Sequence, residues 1–263
     1  MAKTHGAWIW YELMSADPEA AKPFYEAVVG WNISTSHGDD NDYGFITTAD
    51  GAMTGGVLRL KPEMIAHGAR PAWIGYIGVD DVDAMLPRIE AAGGTVLMPA
   101  FDVEMAGRVA MVADCCGAPF YIMAPTPHPG GGQSTAFSPT LPGRCGWNEL
   151  CAGNVDQALA FYTSLFGWSM GEPMDMGEHG LYHFPVHNGV GLGGVMKAMP
   201  HMGPPHWNHY FRVADIDVAK AAAEAHGGTI GMGPMQVPGG DWVVMGTDPE
   251  GAYFALVGGK AGG

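Results

Sequence analysis

The chain has 263 residues, 47% hydrophobic and 15% charged, so it holds enough apolar material for packed cores and too little charge for a disordered polymer. A formal net charge of −15 argues against a nucleic-acid partner, because no basic surface is left to neutralise phosphates. No apolar run approaches the roughly 20 residues of a membrane span, and residues 1–6 lack a leader's apolar core, so a cytoplasmic protein with no membrane partner is expected.

Alternation over residues 8–13 predicts a strand with Trp8, Trp10 and Glu12 on one face. Asp17-Pro18 then supplies a helix N-cap followed by proline at the first helical position. Ala20, Ala21, Phe24, Ala27 and Val28 make an apolar stripe, and Gly30 is the stop. Pro23 lies inside that segment and predicts a kink or a late start. Strands are expected at 31–34, 44–48 and 55–60.

The order then recurs. A strand at 73–79 leads to a helix at 82–92 with Val82, Met85, Leu86 and Ile89 inward, and Gly93-Gly94 ends it. Strands follow at 95–98, 108–112 and 120–123. Residues 125–143 are rich in proline and glycine and read as a linker.

Beyond the linker the chain repeats itself. Trp10-Tyr11-Glu12-Leu13, Phe24-Tyr25 and Gly30-Trp31 return 137 residues later as Trp147-Asn148-Glu149-Leu150, Phe161-Tyr162 and Gly167-Trp168. At an offset of 134, the stretch from Trp73 through Tyr76 and Val79 to Asp81-Val82-Asp83 returns from Trp207 through Tyr210 and Val213 to Asp215-Ile216-Asp217. Gly93-Gly94 and Asp114-x-x-Gly117 return as Gly227-Gly228 and Asp248-x-x-Gly251. Each repeat is far longer than a solenoid unit, so two similar domains are expected, at 1–124 and 144–263, each made of two βαβββ modules. In the second copy Asn154 caps the helix with Gln157 at the capping-box position, and strands are expected at 168–170, 181–186 and 193–196. Cys115, Cys116, Cys145 and Cys151 share no recurrent spacing and no Cys-x-x-Cys, which fits reduced thiols in the cytoplasm, with Cys151 a small core residue.

Four βαβββ modules carrying Phe-Tyr and Phe-Gly-Trp on the helix, Val-x-Asp-[Val/Ile]-Asp at the next helix, Gly-Gly at its end and Asp-x-x-Gly before the last strand resemble the vicinal oxygen chelate superfamily of glyoxalases, bleomycin-resistance proteins and extradiol dioxygenases. The resemblance covers the chain apart from the linker. It implies an α+β fold of two glyoxalase-like half-open barrels. It also implies a divalent ion held by His and Glu at positions matching 10, 74 and 121 in the first half and 147, 208 and 255 in the second. Those positions carry Trp10, Ile74, Tyr121, Trp147, Asn208 and Ala255, and the last odd-module strands, 55–60 and 193–198, offer neither His nor Glu. A catalytic divalent site needs about three protein ligands, so no metal and no other cofactor is expected at the family position.

The remaining polar candidates are carboxylates, phenols and an imidazole. Glu12 and Glu149 share a strand face with the tryptophans at the vacant ligand positions. A carboxylate in an apolar cavity resists ionisation, which suits an acid or base; the bland alternative is a Glu bonded to the cavity wall. Tyr76 and Tyr210, two residues beyond the second vacant position, together with Tyr121 and Asn208, are candidate donors to a ligand, or core groups with satisfied bonds. Trp10 and Trp147 read as aromatic walls or as core filler. Seven of the eleven histidines fall between His179 and His226, and His183 among them leaves an off-pattern divalent site in the second half as a minor alternative.

Three classes therefore stand: a metal-independent lyase or isomerase acting on a small carbonyl or aromatic compound through Glu12 or Glu149; a non-catalytic protein sequestering a drug or metabolite; and a divalent-metal lyase or dioxygenase. The expected partner is a small molecule, and the chain a monomer or homodimer.

Overall fold

A computed structural model of the chain describes residues 4–34, 43–127 and 133–260. Residues 1–3 of the start and 128–132 of the expected linker lie outside the described residues. Strand β1 (Trp8–Ser15) hands the chain to helix α1 (Pro18–Val29) through Asp17, whose carboxylate accepts from the Ala20 amide, and Gly30 closes the helix at φ 79°. Pro23 does not delay the start: the helix runs unbroken from Pro18 with Pro23 on its exposed side. The buried stripe is Pro18, Ala21, Phe24, Tyr25, Val28 and Val29, whereas Ala20 and Ala27 are exposed. It differs from the expected stripe because Tyr25 goes inward, where its hydroxyl finds partners.

β2 (Asn32–Ile33), β3 (Tyr43–Thr47) and β4 (Met53–Arg59) complete the first module, and a short helix α2 (Pro62–Ala66), not expected from the sequence, leads to β5 (Ala72–Gly78). Asp81 caps α3 (Val82–Ala91), which buries Val82, Met85 and Ile89 and leaves Leu86 half-buried. β6 (Thr95–Val103), β7 (Gly107–Ala113) and β8 (Pro119–Pro125) follow. The third module runs through β9 (Cys145–Ala152) and α4 (Val155–Phe166), capped by Asn154 and closed by Gly167 at φ 68°. Its later strands are broken: β10 (Ser169–Met170), β11 (Met174–Asp175), β12 (Leu181–Tyr182), β13 (Pro185–His187), β14 (Val190–Gly191) and β15 (Gly193–Lys197). The single strand expected over 181–186 divides because Pro185 has no amide hydrogen for a ladder. The fourth module is β16 (His206–Val213), α5 (Ile216–Ala225), β17 (Thr229–Gln236), β18 (Trp242–Thr247) and β19 (Tyr253–Gly258).

The chain is thus a mixed α+β protein whose element order repeats. Its packing forms two compact units cut differently from the covalent repeat. A mid-chain unit contains Met1–Ile9, Gly75–Ser134 and Asn148–Asn208, chiefly the second and third modules; an end-chain unit contains Trp10–Ile74, Thr135–Trp147 and His209–Gly263, chiefly the first and fourth.

In the end-chain unit, β1 pairs parallel with β4, which pairs antiparallel with β3. β16 pairs parallel with β19, and α1 packs on α5. Its core is a ring cluster: Tyr25, Trp31, Trp73 and Phe211 lie 4.5 to 6.0 Å apart by centroid, and Phe24 meets Phe254 at 5.4 Å. The Trp73 indole donates to the Tyr25 hydroxyl at 2.9 Å, and that hydroxyl donates to Asp248 Oδ2 at 2.9 Å. In the mid-chain unit, β5 pairs parallel with β8, β7 lies antiparallel between β8 and β6, and β9 pairs parallel with β15. The same network returns there: Trp207 donates to Tyr162 at 2.9 Å, and Tyr162 to Asp114 Oδ2 at 3.1 Å. Trp31 donates to the Gly143 carbonyl and Trp168 to the Gly6 carbonyl, each at 2.7 Å. The repeated words of the sequence are therefore the words that hold each unit together. Burial meets the cost of enclosing these polar groups only because every member is bonded.

Candidate functional site

In the end-chain unit, Trp10 and Glu12 project from β1 two residues apart, hence on one face. Glu12 is 3% exposed and stands in Cα register with Gly56 on β4. Tyr43 of β3 lies over that glycine, so closely that a Cβ at Gly56 would overlap its ring and hydroxyl. The Trp10 indole donates to the Tyr43 oxygen at 2.9 Å and meets Phe45 edge-on at 6.5 Å. Trp147 is half-buried against Tyr210, Val243, Ala255 and Val257, and the Tyr210 hydroxyl donates to the Met245 sulfur at 3.7 Å. Tyr210 and Trp147 thus form an apolar wall in this unit.

The mid-chain unit builds the equivalent of the first arrangement. Glu149 of β9 is in register with Gly194 of β15, and Tyr182 lies over Gly194 as Tyr43 lies over Gly56. Here the phenol donates to the carboxylate, Tyr182 Oη to Glu149 Oε2 at 2.8 Å, and Glu149 is half-buried where Glu12 is enclosed. Asn208 is buried, its amide reaching Cys151 Sγ at 3.7 Å. Tyr76 and Tyr121, register partners on β5 and β8, stack at 4.4 Å and 12°. His183 is half-buried and bridges Val195 through its backbone at 2.9 and 2.8 Å; alternation puts it on the face opposite Tyr182. The Cys151 thiol is pushed up to about 12 by burial and by the Glu149 charge, so it is a packing group and not a nucleophile.

The side chains at the family's ligand positions do not fit a divalent ion. Trp10 offers a donor N–H already given to Tyr43, Tyr121 is stacked on Tyr76, and the Asn208 amide is turned to a sulfur; Ile74, Trp147 and Ala255 have nothing to give. One group of possible metal ligands does occur among the described residues, Asp114 with Cys115 and Cys116, away from those positions in the sequence.

The deep carboxylates belong to the frame. Burial raises the Asp114 and Asp248 carboxyls above the ordinary range, opposed by the amide hydrogen bonds and tyrosine hydroxyls that each accepts. Burial likewise pushes the Tyr25 and Tyr162 hydroxyls far up, so both stay neutral donors.

Tyr43 and Tyr182 are the residues that sequence reasoning missed. A signal was there. Gly55-Gly56 and Gly193-Gly194 recur inside strands, where glycine marks the close approach of another group, here a tyrosine ring.

A family model described as Glyoxalase/Bleomycin resistance protein/Dioxygenase superfamily matches residues 9–122 and 144–256. "Putative glyoxylase CFP32" of Mycobacterium bovis is 33% identical over 251 residues, covering 94% of this chain and 93% of the relative. The anthracycline biosynthesis protein DnrV of Streptomyces peucetius is 31% identical over 272 residues, covering 96% and 93%. Among solved structures, the 2,3-dioxygenase LapB from Pseudomonas sp. KL28 superposes with a TM-score of 0.64 at 14% identity, covering 96% of this chain and 93% of that one. An Mn(II)-bound glyoxalase from Novosphingobium aromaticivorans gives 0.60 at 18% identity, covering 97% and 82%. At such identities these two structures speak for the fold.

Proposed function

The chain belongs to the Glyoxalase/Bleomycin resistance protein/Dioxygenase superfamily, and from that membership we propose that it binds a small aromatic carbonyl compound on which Glu149 and Tyr182 act by proton transfer. The observation that carries this is the Tyr182 to Glu149 hydrogen bond of 2.8 Å between a half-buried carboxylate and a phenol. A carboxylate takes a proton from the carbon beside a carbonyl, while a phenol within reach offers its O–H to the oxygen on which charge develops. Glu12 and Tyr43 occupy the matching places, but there the carboxylate is enclosed, at 3% exposure, which suits a wall. The names of the relatives, a glyoxylase and an anthracycline biosynthesis protein, fit a ligand that carries carbonyls on a small or a polycyclic aromatic frame. Because the side chains at the family positions do not suit an ion, no step is assigned to one. All four cysteines are without a disulfide, which supports a reducing, cytoplasmic setting.

The test is a panel of aryl ketones and hydroxyanthraquinones, with binding followed by quenching of tryptophan fluorescence and turnover by chromatography. Glu149→Gln is expected to keep affinity within about threefold and to lose turnover by the 10²–10⁴-fold usual for an acid or base. Unchanged turnover removes Glu149 from the chemistry. Binding by the native chain with no turnover at all makes the protein a sequestering one.

A further inference from the structure

The Asp-x-x-Gly turn is present in both copies, but its contents differ. In the end-chain unit Asp248 is followed by Pro249-Glu250, and the Glu250 carboxylate accepts from the Ser15 hydroxyl and, at 2.7 Å, from the Asp17 amide at the start of α1. In the mid-chain unit the corresponding residues are Cys115-Cys116. Cys116 Sγ reaches the Asn154 carbonyl, at 3.5 Å, and the other thiol, so the structural contact of Glu250 has been given up for a pair of thiols. Asp114 keeps the bonds that its counterpart makes, accepting from the Cys116 and Ala118 amides at 2.8 and 3.0 Å and from the Tyr162 hydroxyl. The fold needs the aspartate and does without the thiols.

The two sulfurs are 3.9 Å apart, both residues are partly exposed, and one ligand atom each from Asp114, Cys115 and Cys116 lie within 4.8 Å of one another. Two thiolates on a tetrahedral ion, at about 2.3 Å from it, stand roughly 3.8 Å apart, the separation already present here. Cys115 also lines an open cleft of about 440 Å³, shared with Gln157, Phe161 and Ser164. We propose that Asp114, Cys115 and Cys116 form a binding site for a soft divalent cation of the zinc or cadmium class, with two sulfur ligands, one carboxylate oxygen and a fourth position left to solvent. The site is not the superfamily's ligand set and does not depend on the function proposed above. Binding replaces two S–H bonds by two metal–sulfur bonds and releases two protons with no change of oxidation state. Because the sulfurs bind as thiolates, affinity rises with pH.

The full chain, reduced and stripped of metal, is titrated with cadmium alone and then zinc alone. The expected result is one cadmium per chain, an ultraviolet sulfur-to-cadmium charge-transfer band, and proton release detected by repeating the titration in buffers of different ionisation enthalpy. The double variant Cys115→Pro, Cys116→Glu copies the dipeptide that serves the same turn in the other repeat, and is expected to abolish the band while keeping the far-ultraviolet circular dichroism. Cys116→Ser alone is expected to weaken cadmium at least tenfold and to shrink the band, and decides the matter if the double variant fails to fold. No band in the native chain, or an affinity unchanged in Cys116→Ser, overturns the site.

Discussion

The mid-chain and end-chain units carry one bonding network twice and differ in what surrounds it. Trp207, Tyr162 and Asp114 repeat Trp73, Tyr25 and Asp248, with the same donors and acceptors in the same order. Next to that frame, one unit has Glu250 holding the start of α1 and the other has two thiols; one encloses its strand glutamate, Glu12, and the other leaves Glu149 half-buried. The duplicated part is the part that folds. Polar equipment free of that duty has diverged, so differences between copies are better guides to chemistry here than similarities.

The largest expected effect tests the shared frame. Tyr162→Phe leaves the buried Trp207 indole without its acceptor and is expected to cost about 2 to 3 kcal/mol, whereas Tyr25→Phe costs about 1 to 2, because Trp73 is half-buried and water can reach it. Urea unfolding of both variants checks the order, and a larger loss in Tyr25→Phe breaks the comparison. Next comes Gly194→Ala, whose Cβ must displace the Tyr182 ring; about 1 to 3 kcal/mol of overpacking is expected, with loss of the bond to Glu149. Gly56→Ala should cost a similar amount and leave turnover alone, since Glu12 is enclosed.

Smaller still, Glu250→Ala removes the acceptor for Ser15 and the Asp17 amide, and about 1 kcal/mol is expected by the same measurement. Cys116→Ala, at the equivalent position, should cost less than half of that. The smallest effect is one of pH. Hydrogen bonds from Arg144, then Thr48, hold the Asp50 carboxyl down to about 2. A depressed folded-state value means that its contribution is complete above the ordinary carboxylate range near pH 4 and is lost as the pH falls toward 2. Asp50→Asn should therefore lower stability by a constant amount above pH 5 and flatten the acid limb between those values, so that the two profiles converge near pH 2.

Much of the architecture was legible in the chain. Asp17, Asp81, Asn154 and Asp215 each cap a helix by accepting a main-chain amide, and Gly30 and Gly167 end helices in the left-handed region, because short polar side chains and glycine meet local needs that a few residues suffice to show. Partnership over distance was not legible. Tyr25 and Asp248 are 223 residues apart, and no periodicity within a segment says which distant carboxylate will take a hydroxyl. Of the site, Glu12 and Glu149 could be placed on their strands by alternation. Tyr182 could not, since it ends a two-residue strand in a stretch that proline and glycine interrupt, where alternation fails. The wrong face assigned to Ala20 and Ala27 has a similar origin: the spacing of small apolar residues cannot show that a tyrosine with two bonding partners displaces them from the core.

The central claim is that the chemistry belongs to one of the two matching carboxylates. Its most direct test is deuterium exchange from heavy water into the carbon beside the carbonyl of the tightest-binding ketone of the panel, followed by nuclear magnetic resonance. The native chain and Glu12→Gln are expected to exchange at rates within a few fold of each other, and Glu149→Gln to fall to the uncatalysed rate. Exchange lost in Glu12→Gln and retained in Glu149→Gln would contradict the account.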